Sequence, residues 1–153
     1  MDDDQLDENE LVSSLRQGKS SLLKEMKIEL SDELIKRIQS RLIEEKASNG
    51  LNNLGVLYDV GAGGMTRNLE RAIECYVKAA SLGSYIACEN LAFLYEERAD
   101  ENEALEWWRK AAELRIEQGE TEETRMFSGR RDHDQISWSR GTLIQSIIDG
   151  RKS

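Results

Sequence analysis

Proline is absent from all 153 residues, so the chain lacks the strongest breaker of helices. Cysteine occurs twice and histidine once. Two thiols cannot build a disulfide framework or a four-ligand zinc site. The lone histidine, His133, sits among Arg130, Arg131, Asp132 and Asp134 with no nucleophile beside it. It reads as a solvated loop residue rather than an acid–base group. No charge-free run approaches the ~20 apolar residues of a membrane span. The opening Met1-Asp2-Asp3-Asp4 is acidic where a secretory signal would be basic and then apolar. Basic residues are also scarce: 21 Lys and Arg face 30 Asp and Glu, a formal charge of −9. Such a balance disfavours general nucleic-acid binding. The expectation is a cytoplasmic, non-enzymatic protein with no catalytic residues, no cofactor, no metal, no membrane and no nucleic acid among its partners.

What is present favours helix. Ala, Leu, Glu, Lys and Arg are abundant, and charged residues make up 33% of the chain. Charge is uneven. Residues 1–10 hold six acids and no base, whereas residues 124–153 hold six Arg or Lys against three Asp. Residues 1–5 are expected to be an acidic disordered tip.

Between 50 and 119 the chain repeats itself. Asn53, Leu54, Leu57 and Tyr58 recur as Asn90, Leu91, Leu94 and Tyr95, an offset of 37. Ala72, Glu74, Lys78, Ala79, Ala80 and Leu82 recur as Ala104, Glu106, Lys110, Ala111, Ala112 and Leu114, an offset of 32. The first copy therefore has five more residues between its halves. Two helical blocks per period in the thirties mark a helix-turn-helix solenoid. At 100° per residue Leu54, Leu57 and Tyr58 share a face, with Asn52, Val56 and Asp59 roughly opposite. Ala72, Tyr76 and Ala79, like Ala104, Trp107, Trp108 and Ala111, form seams that let helices approach closely.

Leu54-Gly55, Tyr58, Gly61 and Gly63, then Ala72, Tyr76, Lys78-Ala79-Ala80 and Gly83, resemble the Sel-1-like repeat, a relative of the tetratricopeptide repeat. Trp107-Trp108-Arg109-Lys110-Ala111-Ala112 resembles its second helix. Ala92 replaces a glycine, and the link 98–102 has no glycine, so the interhelix turn of the second copy must differ. The resemblance implies an all-α fold, a short right-handed α-α superhelix with N- and C-terminal capping helices. On this reading 6–49 caps one end, 120–132 is a polar loop, and 133–153 forms a C-terminal helix and tail that covers the other. Some secreted relatives bridge a cysteine at the Ala80 position with one at the Cys88 position; alanine here excludes that staple.

Other motifs fall away. Gly61-Ala62-Gly63-Gly64 is followed by no Lys-Ser or Lys-Thr and preceded by no strand, so it is a turn rather than a phosphate loop. What remains is surface. In solenoids of this kind the first helices line the concave side, so the resemblance implies partner contacts at Asn52, Val56 and Asp59 and at the equivalent Glu89, Phe93 and Glu96. Val56 and Phe93 in an acidic frame suit a protein or peptide with apolar anchors and basic flanks. The competing reading packs both beneath the terminal helices. Two functions are compatible with this chain: an adaptor-type protein–protein interaction module, or an immunity protein (antitoxin) occupying a basic toxin.

Overall fold

A computed structural model describes residues 3–18, 31–61 and 66–119. The loop expected at 120–132, the helix expected within 133–153, His133, and residues 19–30 of the N-terminal cap expected at 6–49 lie outside the described residues. Within them the chain forms six helices and no strand: α1 (Asp3–Gln17), α2 (Asp32–Glu44), α3 (Ser48–Val60), α4 (Leu69–Ser81), α5 (Tyr85–Glu97) and α6 (Glu101–Glu117). The all-α solenoid expected from the repeats is the fold that forms. Helices α3 and α4 make the first copy, α5 and α6 the second.

Local chemistry sets the helix boundaries. Ser31 caps α2 by accepting from Leu34 N–H at 3.2 Å, ahead of Asp32 and Glu33 in the first turn. Asn68, Ser84 and Asp100 cap α4, α5 and α6 in the same way. Helix α3 stops at Gly61, whose φ of 67° is free of strain only for glycine. In the second copy the left-handed residue is Ala99, with φ 59°. Despite the difference in length, both turns close on the same bond. Asn68 N–H donates to Tyr58 O at 2.9 Å, and Asp100 N–H donates to Tyr95 O at 2.9 Å.

Helix α3 lies at the centre. It packs against α1, α2 and α4 and touches α5, so every residue from Gly50 to Asp59 is buried. Ala72 and Ala79 of α4 are buried without remainder, as the small-residue seam requires. A Cβ on Gly55 would stand 2.7 Å from two ring carbons of Tyr76, so the glycine is what lets that ring lie against α3. Leu11, Val12 and Leu15 of α1 join Leu34, Ile35, Ile38 and Leu42 of α2 in one core with α3. The Asn53 amide donates to Leu15 O at 2.6 Å, fixing α1 against the first copy. Arg41 and Arg16 both pair with Glu45. The hydrogen bond from Arg41 comes first among the causes that hold the Glu45 carboxyl below the ordinary carboxylate range.

Two expectations change here. Helix α1 begins at Asp3, inside the segment 1–5 read as a disordered tip; aspartates in a first turn are favoured by the helix dipole. Trp107 and Trp108 are half-buried, whereas the seam reading made them core.

Candidate protein-binding face

The antiparallel pair α5–α6 is joined along one side by polar and aromatic contacts. Glu89 forms an ion pair with Arg115, whose guanidinium carbon stands 4.9 Å over the Tyr85 ring. Further along, Phe93 meets Trp108 edge to face with centroids 4.9 Å apart, and Trp108 Nε1 donates to Glu96 Oε1 at 2.8 Å. Phe93 remains 45% exposed. Leu105, Trp108, Ala112 and Ile116 follow at helical spacing down one side of α6, with Leu105 60% and Ile116 77% exposed. An apolar strip therefore runs beside the seam. Its surroundings are acidic: residues 85–117 hold nine Asp and Glu against four Lys and Arg.

The first copy makes the same construction and buries it. At the position of Glu96 stands Asp59, and at that of Trp108 stands Tyr76. The Tyr76 hydroxyl donates to Asp59 Oδ2 at 3.0 Å. Arg67 Nε donates to Asp59 O at 2.6 Å, and its Nη2 lies 3.3 Å from Glu97 of α5, tying the second copy over the pair. Asn52, the counterpart of Glu89, accepts from the Asn90 amide of α5 at 2.9 Å. One carboxylate from a first helix thus receives one ring donor from a second helix in each copy. Only in the second does the bond face outward.

Residues 48–84 and 86–115 match the model of the Sel1 repeat family. The chain carries two Sel1 repeats. It is similar to an F-box protein of Arabidopsis thaliana, 35% identical over 60 residues that make up 39% of this chain. The match covers 17% of the plant protein's length. No solved structure matches the chain. Sel1 repeats generally mediate protein–protein interaction.

The two Sel1 repeats divide the six residues expected to contact a partner. Asn52, Val56 and Asp59 are each 0% exposed, so the first repeat offers none of them to a partner. The reason is α3's position: the face opposite its seam is taken by neighbouring helices, α5 among them. In the second repeat Phe93 and Glu96 are exposed and Glu89 is half-buried in its ion pair. Sequence reasoning missed Leu105 and Ile116, and it treated Trp108 as core. A signal was available. The motif glycine at 55, against which the Tyr76 ring lies, is Ala92 in the second repeat. Trp108, at the position of Tyr76, meets Phe93 edge to face.

A concavity of about 340 Å³ lies among α4, α5 and α6, lined by Val77, Ala80, Cys88, Trp107, Lys110 and Leu114 among others. Lys110 Nζ sits 4.6 Å over the Trp107 ring and covers part of it. Both thiols are free and buried. Burial pushes Cys75 up to about 12 and Cys88 up to about 11, so neither is a ready thiolate. Among the described residues no cluster of His, Cys, Asp and Glu could hold a metal ion, and no helix is long and apolar enough to cross a membrane.

Proposed function

We propose that the chain is a non-enzymatic, adaptor-type interaction module that docks a partner protein or peptide on the outer face of its second Sel1 repeat. One observation carries this reading: Phe93, Leu105 and Ile116 stay exposed around the Glu96–Trp108 bond, although the matching surface of the first repeat is covered. A contiguous apolar strip on a folded domain calls for an occupant. The acidic surroundings favour one with apolar anchors and basic flanks, held in the manner of a helix in a groove. Glu89, Phe93 and Glu96 contribute from α5; Leu105, Trp108 and Ile116 contribute from α6. Asn52, Val56 and Asp59 take no direct part.

Native pull-down from the source cell tests this, with bound proteins identified by mass spectrometry. Phe93→Asp should abolish recovery of the specific partner. Val77→Asp, an exposed position on the second helix of the first repeat, should leave it intact. Equal recovery with both variants overturns the assignment of the face. An immunity protein that covers a basic toxin would use the same acidic surface. That version requires association that slows steeply as salt rises.

A further inference from the structure

A cleft of about 310 Å³ opens between α1 and α2, outside the residues that match the repeat family. That volume is within the range of small-ligand sites. Its lining is polar: Asn9, Ser13, Arg16 and Gln17 come from α1, Arg41 from α2, and Glu45 from the residue after it. Two guanidiniums against one carboxylate leave this lining with a net positive charge, in a chain whose formal charge is −9. The hydrogen bonds turn most of these groups into donors. Glu45 is shared, because Arg16 Nη1 donates to its Oε2 at 2.7 Å and Arg41 Nε to its Oε1 at 3.0 Å. Arg41 Nη1 also donates to Asn9 Oδ1, which leaves the Asn9 amide nitrogen to donate elsewhere. Gln17 Nε2 donates to Ser13 Oγ at 3.3 Å, so the proton of that hydroxyl is open to an acceptor. These bonds engage a minority of the N–H groups on each guanidinium. Glu8, beside Asn9 in sequence, is held by Arg37 at 3.3 Å. Both walls are anchored. Val12 and Leu15 of α1 share one core with Ile38 and Leu42 of α2, so the cleft stands before a ligand arrives.

We propose that this cleft binds the phosphoryl group of a small phosphomonoester, free or carried on a phosphorylated side chain. Donors on two walls, with the one lining carboxylate already shared, call for a charged ligand that only accepts. A carboxylate is planar and presents a single edge to a fork. A phosphoryl group presents three acceptor oxygens, enough to meet Arg16 and Ser13 on one wall and Arg41 on the other. Glu45 positions both forks. The hydrogen bond from Arg41 comes first among the causes that hold its carboxyl below the ordinary range, so it stays ionised where the ester is a dianion. The cleft is roomier than a bare phosphate ion needs, and the surplus takes the organic part of the ester. Arg16 and Arg41 keep 44% and 34% of their side-chain surface exposed, so binding weakens as salt rises. No residue of this cleft belongs to the face assigned to a partner protein, and the two readings stand or fall separately.

Nuclear magnetic resonance on the nitrogen-labelled full chain tests the site, at fixed ionic strength in a phosphate-free buffer. The probes are glycerol 3-phosphate and a phosphoserine capped at both ends. Saturable shifts are expected at the amides of 9–17 and 41–46 and at the Nε signals of Arg16 and Arg41, with 104–116 unmoved. Arg16→Gln should weaken binding on the order of tenfold. Arg16→Lys, which keeps the charge and loses the fork, should recover only part of it. Arg109→Gln, at an exposed arginine of α6, should change nothing. Ser13→Asp keeps both arginines and sets a second carboxylate at an exposed position of the cleft, so it should abolish binding without unfolding the chain. Absence of saturable shifts overturns the proposal, as does full binding by the Ser13→Asp variant. Acetate bound as tightly as the esters also overturns it, since the cleft would then be a general anion patch. Inorganic phosphate bound as tightly as both esters overturns the assignment of an ester. Either order of affinity between the two esters supports the site. Preference for the capped phosphoserine makes a phosphorylated side chain the source, and preference for glycerol 3-phosphate makes it a free metabolite.

Discussion

The two Sel1 repeats place a carboxylate and a ring donor at the same two positions and give them opposite fates. Asp59 and Tyr76 meet in the buried centre of the molecule, while Glu96 and Trp108 meet at its edge. Nothing in the bond itself differs in kind. The difference lies in whether another helix covers it. In a stack of repeats, burial is a property of position in the stack, and the same motif serves as core or as surface accordingly.

The largest break in this comparison comes from removing the rings. Tyr76→Ala should cost about 3–5 kcal/mol, measured by urea melts, because a buried ring leaves a cavity. Trp108→Ala should cost only about 1 kcal/mol, the usual loss for a half-exposed truncation. Equal losses would mean that the second repeat is as covered as the first. The glycine is next. Gly55→Ala drives a methyl into the Tyr76 ring and should cost about 1–3 kcal/mol. Ala92→Gly loosens the helix and deletes a buried methyl, at about 1–2 kcal/mol.

How much of this was legible depends on what periodicity encodes. Spacing of Leu54, Leu57, Tyr58 and their counterparts locates the helices and the Ala72–Ala79 seam, because a helix presents one side every three to four residues. It names the residues sharing a side without naming what lies against that side. Spacing alone therefore assigns Asn52, Val56 and Asp59 to the surface, since asparagine and aspartate are ordinary surface residues. A finer signal was present: α3 holds a single charged residue, Asp59, among its 13, and a helix so poor in charge is covered all round. Helix α5, with Glu89, Glu96 and Glu97, keeps one side open. The open strip on α6 was not legible, because Leu105 and Ile116 fall outside the repeated positions.

Smaller effects sharpen the comparison. Tyr76→Phe keeps the ring and deletes the donor, leaving a buried oxygen of Asp59 with one bond fewer; about 1–2 kcal/mol should be lost. Glu96→Gln retains an acceptor for Trp108 at the surface and should stay within about 0.5 kcal/mol. The thiols give the smallest effect and a defined sign. Cys75 is pushed up to about 12 by burial, while an unfolded chain's thiol ionises near 8.5. Its contribution is complete below the unfolded value and is lost as pH rises toward the folded one. The stability gap between the native chain and Cys75→Ala should therefore narrow from pH 8 to pH 10 in urea melts. A gap that stays flat would mean a thiol open to solvent.

The closing bond of each repeat carries a practical consequence. Asn68 reaches Tyr58, and Asp100 reaches Tyr95, at one distance across links that differ by five residues. Linker length is thus uncoupled from how the paired helices dock. Because chain closure grows only logarithmically more costly with length, the hairpin tip is a natural place to graft an epitope or reporter without disturbing the scaffold.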